Sequence, residues 1–320
     1  MAAMTTPLAA TYRAEPVRPR DVVDALRATV VGQEHVVEAL VLALIAGGHV
    51  LLEGAPGVAK TLACRALASA VAGTFRRVQF TPDLLPSDIV GTRVFDQKTG
   101  EFATVLGPLF ANVVLADEIN RAPAKVQSAL LEGMQERRVT IGPQTHDLPA
   151  PFVVLATMNP FDAEGTYALP LAQLDRFLAK VIVRYPSRDE ERAIVDRFGA
   201  GEPPLRANVA SLDDVLRWQR EAHGVHVDDK VRDYAIDLVR ATRGAELVAH
   251  GASPRAALAL VQLARARAYA DDRAFATPDD VRDLAPSVLR HRISYDDRIA
   301  IAGGDPEDVV RRIVASVPAP

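Results

Sequence analysis

The sequence has little of several things, and each shortage narrows what the chain can be. A single cysteine among 320 residues, Cys64, excludes an intrachain disulfide. With no evident export signal, a reducing cytoplasm is the expected compartment. The opening MAAMTTPLAATYRAEPVRPR lacks the basic start and apolar run of a signal peptide, and reads as a loose arm over 1–20. Long apolar runs are missing too. The most apolar region, 36–52, is interrupted by Glu38, Gly47, Gly48 and His49, so no membrane span is expected. Neither charge sign dominates: a net −4 with both signs interspersed makes nucleic acid an unlikely partner. The seven histidines show no metal-ligand spacing, and no repeat or low-complexity segment is present. What remains is a chain with an apolar share of 49%, enough for a sizeable core in one large or two ordinary domains.

The stretch around which the rest is organised is HVLLEGAPGVAKT, His49–Thr61. A buried strand (Val50, Leu51, Leu52) runs into a Gly/Pro loop, and Lys60-Thr61 opens a helix continuing through Leu62. The loop Gly54-Ala55-Pro56-Gly57-Val58-Ala59-Lys60-Thr61 fits G-x-x-x-x-G-K-[ST] apart from one position. Backbone N–H groups in such a loop surround phosphate oxygens, and the helix N-terminus adds partial positive charge. Lys60 is expected to reach the β/γ-phosphates of ATP, and the Thr61 hydroxyl to ligate Mg²⁺. Ala59 stands where the pattern has its second glycine, which is tolerable if that residue takes a helical φ. Cys64, in the following helix, is expected to be a small core residue rather than a nucleophile.

Along the chain, Asp21 is a candidate cap for a short helix, and a second helical period runs from Val36 to Ile45. Strands are expected at 50–52, 75–80, 112–116, 152–156 and 180–183, several of them short and continuously apolar, separated by helices or long crossings. That pattern means a parallel five-stranded sheet covered on both faces, an α/β core over 21–198. Two hairpins interrupt it, at 92–104 and 138–148. Beyond a break at 199–210 only helices are expected, over 211–320. Ser211, Asp228, Ser253-Pro254 and Thr277-Pro278 serve as their start signals.

Strand ends of a parallel sheet carry the chemistry. After NVVLA come Asp117 and Glu118, and after FVVLA comes Asn159. A carboxylate at the tip of a buried strand is costly without a cation or water network. Asp117 is expected to bind Mg²⁺, directly or through water, and Glu118 to polarise the water attacking the γ-phosphate. The plainer alternative is that the pair caps the next helix. Asn159 is expected to hold the same water or the γ-phosphate; alternatively it starts a turn before Pro160. Arg176 precedes the last strand and is placed to lend charge to a neighbouring subunit's nucleotide, unless it pairs with Asp175 or Asp162. Arg255 sits in the first turn of a helix, where a cation opposes the helix dipole unless an anion arrives.

Taken together, the phosphate loop, LADEIN, ATMNP, QLDRF and GASPRA resemble the MoxR family of AAA+ ATPases, and more distantly the ATPase subunit of magnesium chelatase. The likeness spans about 25–305. It is most specific in FTPDLLPSDIVGT, VVLADEINRAPAKVQSALLEGMQE and EGTYALPLAQLDRF. The resemblance implies a P-loop AAA+ core with a C-terminal helical lid, in a ring that is usually hexameric. By it, Lys60 and Thr61 match Walker A, Asp117 and Glu118 Walker B, and Asn159 sensor 1. Arg176 matches the arginine finger, Arg255 sensor 2, and Gly32 and Gln33 the adenine pocket. Residues 81–107 look like the helix-2 insert and 138–149 like the pre-sensor hairpin. Leu171, where the family commonly has Glu, removes a charge near the subunit boundary; Met158 stands where Gln is frequent. The implied function is Mg²⁺-dependent ATP hydrolysis by a chaperone that remodels or assembles partner complexes, often with a von Willebrand factor A domain protein. The rivals are a chelatase-like motor subunit, a nucleotide-gated scaffold with little turnover, and a DNA-remodelling motor.

Overall fold

The structure, a computed structural model, describes residues 16–160, 166–199, 201, 204–296, 298–301 and 304–320. The first fifteen residues of the expected arm, and Asp162, lie outside the described residues. Two helices lead in, α1 (Pro19–Arg27) and α2 (Glu34–Ala46). Next come β1 (Val50–Gly54), α3 (Lys60–Ala70), β2 (Phe75–Gln79), the short α4 (Pro86–Val90), and the hairpin β3 (Gly91–Asp96) and β4 (Glu101–Leu106). There follow β5 (Val113–Asp117), α5 (Ala124–Glu136), the hairpin β6 (Arg138–Ile141) and β7 (Gln144–Asp147), and β8 (Val153–Met158). Then come α6 (Leu171–Leu174), β9 (Ala179–Val183) and α7 (Arg188–Phe198). The C-terminal part holds α8 (Leu212–His223), α9 (Asp229–Ala241), β10 (Val248–His250), α10 (Pro254–Ala270) and α11 (Pro278–Leu289). It ends with β11 (Ser294–Tyr295), α12 (Arg298–Ile301) and α13 (Pro306–Ser316).

Five strands form one parallel sheet in the order β2-β5-β8-β1-β9. The register aligns their C-terminal ends: Gln79 lies beside Asp117, Glu53 beside Met158 and Gly54 beside Val183. Alternate strand side chains enter opposite cores. Val50, Leu52, Leu115 and Leu155 face α2 and α3, whereas Leu51, Val114 and Val154 face α5. The first of these cores continues without a break into the lid through Trp218, Leu238, Leu260 and Val288. The lid helices α8 and α10 rest on α2, and Gln219 Nε2 donates to the Leu44 carbonyl at 2.9 Å.

The expected caps are in place at Ser211, Asp228, Ser253 and Thr277, each accepting from a backbone N–H of the helix it starts. Asp21 is different. It sits inside α1, two residues past Pro19, and its carboxylate accepts the Arg18 backbone N–H at 2.8 Å. Pro19 starts the helix earlier because its missing N–H costs nothing there. The helices-only expectation beyond Ser211 also misses the antiparallel pair of β10 and β11, too short to show a period. No helix of the described residues is long and apolar enough to cross a membrane.

Candidate active site

Gly54 ends β1 where no side chain fits: a Cβ there would lie 2.4 Å from the Val183 carbonyl oxygen. The loop then turns through Gly57 at φ +81° with open space around it. Ala59 corrects the sequence expectation. It is not helical but left-handed, at φ +64° and ψ 18°, so the missing glycine leaves local strain. The Lys60 ammonium donates to the carbonyls of Gly54 and of Ala55, the latter at 2.7 Å, which folds the side chain back over the loop.

The loop borders a cavity of about 340 Å³ whose far wall is Arg77, Gln79, Asp117, Glu118, Thr157, Met158 and Asn159. Lys60, Thr61, Asp117, Glu118 and Asn159 therefore converge on one space. Asp117, 5% exposed, is held from every side. Thr157 Oγ1 donates to its Oδ1 at 2.5 Å, and Arg77 donates twice to Oδ2, at 2.7 and 3.1 Å. The Thr61 hydroxyl lies 3.3 and 3.4 Å from the two carboxylate oxygens. Thr61 and Asp117 thus bring hard oxygen donors together, the chemistry Mg²⁺ takes. Arg77 occupies Oδ2, so a cation held directly by that oxygen would have to displace it.

Glu118 is also left-handed, at φ +58°, and its backbone N–H donates to Thr157 Oγ1 at 2.9 Å. One threonine hydroxyl so ties the two acids together. The Glu118 carboxylate accepts from Gln79 Nε2 at 3.0 Å and pairs with Arg121 at 2.9 Å. Asn159 is buried, and its carbonyl accepts from Asn120 Nδ2 at 3.2 Å. Burial, and after it the Asp117 charge, raises the Cys64 thiol above its ordinary range, so it stays protonated and inert.

Gly32 and Gln33 lie off this cavity. Gly32 has φ +72°, and a Cβ there would meet Glu190 at 2.7 Å. Gln33 is buried and donates to the Arg184 carbonyl at 2.8 Å. Their neighbours Val30 and Val31 line a second, mainly apolar cavity of about 590 Å³, with Thr29, Ile194 and Phe198. It shares Gly57, Ala59 and Leu62 with the first, so the two adjoin across the loop.

Arg176 and Arg255 line neither cavity. Arg176 donates to Gln135 Oε1 at 3.0 Å. It does not pair with Asp175, whose carboxylate is taken by Arg292 and Ser253. Arg255 is exposed, 3.9 Å from Asp175 Oδ2.

Sequence reasoning missed Arg77, Gln79 and Thr157. The first two share a strand face at spacing two, which their alternation in FRRVQF could have revealed. Thr157 could have been read from its place between FVVLA and Asn159.

The chain matches the family model described as ATPase family associated with various cellular activities (AAA) over residues 49–179, and the AAA lid domain model over 240–313. It is 50% identical over 303 residues to Chaperone MoxR1 of Mycobacterium tuberculosis, covering 91% of this chain and 79% of that one. It is 43% identical over 299 residues to the YeaC protein of Bacillus subtilis, 93% of each chain. Against Protein MoxR of Paracoccus denitrificans it is 32% identical over 308 residues, 86% of this chain and 88% of that one. A crystal structure of a Cytophaga hutchinsonii protein, described as a candidate ATPase, superposes with a TM-score of 0.85. It is 40% identical and covers 94% of each chain.

Proposed function

The chain belongs to the MoxR family of AAA+ ATPases, and on that premise we propose that it hydrolyses ATP with Mg²⁺ to remodel or assemble partner protein complexes. The observation carrying the reading is the convergence of Lys60, Thr61, Asp117, Glu118 and Asn159 on one cavity beside an apolar one. The polar cavity suits a triphosphate and the apolar cavity an adenine ring. In this reading the loop N–H groups and Lys60 hold the β- and γ-phosphates, with Lys60 trading loop carbonyls for phosphate oxygens. Thr61 and Asp117 hold the magnesium. When bound, that ion neutralises charge developing between the two phosphates. Glu118 takes the proton of the attacking water, and Asn159 orients that water.

Arg176 reaches the nucleotide of a neighbouring subunit in a ring, and Arg255 meets the γ-phosphate from the lid. Six copies of the chain and a von Willebrand factor A domain partner are the assembly we favour, in the cytoplasm. The chaperone named among the relatives supports that direction.

Phosphate release measures the chemistry. Glu118→Gln is expected to bind ATP and hydrolyse it at least ~100-fold more slowly than the parent. Equal rates would remove Glu118 as the base. Parent and variant both near zero, with ATP bound, would indicate a nucleotide-gated scaffold instead. Mass measurement of the variant with and without ATP reads the ring.

A further inference from the structure

We propose that Asp175 is a positioning residue through which the lid sets the orientation of the adjacent Arg176. The position of one subunit's lid would then govern the arginine it offers to the next. This rests on the reading of Arg176 as acting in a neighbouring site.

Asp175 follows α6 directly, and its side chain is 14% exposed. Among the described residues, all the side-chain partners of its carboxylate come from the lid. Arg292 Nε donates to Oδ1 at 2.8 Å, and Ser253 Oγ donates to Oδ2 at 3.0 Å. Arg255 Nη1 stands 3.9 Å from that second oxygen.

The Arg292 side chain is 3% exposed, and its other donors are spent on backbone, at 175, 177 and 178 and at Val288 of its own lid. Nη2 reaches the carbonyls of Phe177 at 2.6 Å and Asp175 at 3.4 Å, and Nη1 those of Val288 at 2.7 Å and Leu178 at 3.2 Å. His291 Nε2 shares the Phe177 carbonyl at 3.0 Å. The backbone on both sides of Arg176 is thus gripped by residues 291 and 292. Among the described residues, the Arg176 side chain itself has one hydrogen bond, to Gln135 on α5.

A buried cation whose donors are all satisfied by protein does not exchange them for water at small cost. A lid that moves therefore pulls on 175–178, and on Arg176 with them, against the hold of the sheet and core on Phe177 and Leu178. Arg255 differs. Half exposed and at the edge of ion-pair range, it can turn to a phosphate while Arg292 keeps Asp175 in place. The lid residue proposed to meet the γ-phosphate and the arginine proposed to serve the next subunit therefore border one carboxylate.

Mixed assemblies test this. Acceptor subunits carry Arg176→Ala, with their own Glu118 intact. Donor subunits carry Glu118→Gln, with their own Arg176 intact, so phosphate is released only where a donor arginine completes an acceptor site. Donors are expected to restore hydrolysis to acceptors. Donors that also carry Asp175→Asn are expected to restore at least about tenfold less, while binding labelled ATP with unchanged affinity and entering assemblies of the same mass. Ser253→Gly donors keep the Arg292–Asp175 pair and a tolerated helix cap, and are expected to lose rescue several-fold.

Equal rescue by the Asp175→Asn donors overturns the proposal. If that variant does not fold, equal rescue by the Ser253→Gly donors overturns it. If donors with intact Asp175 and Ser253 fail to rescue, the reading of Arg176 acting in trans falls first, and this inference with it.

Discussion

Asp117 and Asp175 are both mostly buried carboxylates held by an arginine and a hydroxyl, yet the two pairs are built in opposite ways. At the pocket, the side chains of Asp117 and Arg77 are 8% and 50% exposed. At the lid joint, those of Asp175 and Arg292 are 14% and 3% exposed. Arg77 spends its donors on two side chains, Asp117 and Gln79, and can be released into water. Arg292 adds four backbone carbonyls to its carboxylate and has no water to move into. The first arrangement allows a carboxylate to change partners. The second ties a carboxylate to the lid, so that a moving lid acts on it directly.

The comparison is broken most directly by removing each arginine. Arg292→Met leaves Asp175 buried without that cation and the carbonyls of Asp175, Leu178 and Val288 without that donor, while His291 stays on Phe177. It is expected to cost about 3–5 kcal/mol of stability in denaturant unfolding. A loss no larger than that of an exposed pair would mean the joint is not fixed.

Two histidines away from the pocket, His49 and His291, are buried and neutral. Burial, and then the Arg137 charge, lowers His49 just before β1 to about 3. Burial, and then Arg292, lowers His291 well below the usual imidazole value. A folded-state value below the unfolded one, near 6.5, means the unfolded chain binds more protons below that pH. Stability is therefore level above about pH 6.5 and falls as pH drops, by up to about 1.4 kcal/mol per pH unit for each histidine. Melting temperatures from pH 7.5 to 5 should show that slope, with His49→Gln and His291→Gln each flattening it. An unchanged slope in both variants would place the acid sensitivity elsewhere.

Arg77→Gln tests the exchangeable side. Thr157 and Thr61 still satisfy Asp117 in the variant, so stability should change by about 1 kcal/mol or less. Nucleotide binding should instead reach half-saturation at a lower Mg²⁺ concentration, because one competitor for Oδ2 is gone. Titrating a fluorescent nucleotide against Mg²⁺ reads this without turnover. A requirement for more Mg²⁺ would show that Arg77 orients Asp117 for the metal rather than competing with it.

The two regions also differ in how far the sequence discloses them. Lys60, Thr61, Asp117, Glu118 and Asn159 were legible because each follows a short apolar strand, and a parallel sheet must bring strand ends together. The strands other than β2 could be read from apolar runs bounded by turns. Their order, with β1 between β8 and β9, could not, since no local pattern encodes which strand neighbours which. The joint was illegible for the same reason. Asp175, Ser253 and Arg292 are separated by 78 and 117 positions in hydrogen bonds that only the packed lid creates. Ser253 was readable as a helix cap, but nothing local marks its hydroxyl as a donor to Asp175. Arg77 needed strand alternation to be applied to a strand that is mostly polar, where periodicity is weakest.

The smallest expected effect concerns backbone strain, which the pocket holds and the joint does not. Ala59 and Glu118 both have positive φ, at 64° and 58°, whereas Asp175 has an ordinary helical φ of −59°. An L-residue in the left-handed region is disfavoured by about 1–2 kcal/mol relative to right-handed backbone. Glycine escapes that penalty but adds freedom to the unfolded chain worth about 0.4–1 kcal/mol. Ala59→Gly restores the glycine of the phosphate-loop pattern and should therefore stabilise the protein by about 0.5–1 kcal/mol in denaturant unfolding. Asp175→Gly, at a φ with nothing to relieve, should only destabilise. A loss of stability in Ala59→Gly would mean the loop holds no strain at that position, and the contrast between a strained pocket and a relaxed joint would rest on Glu118 alone.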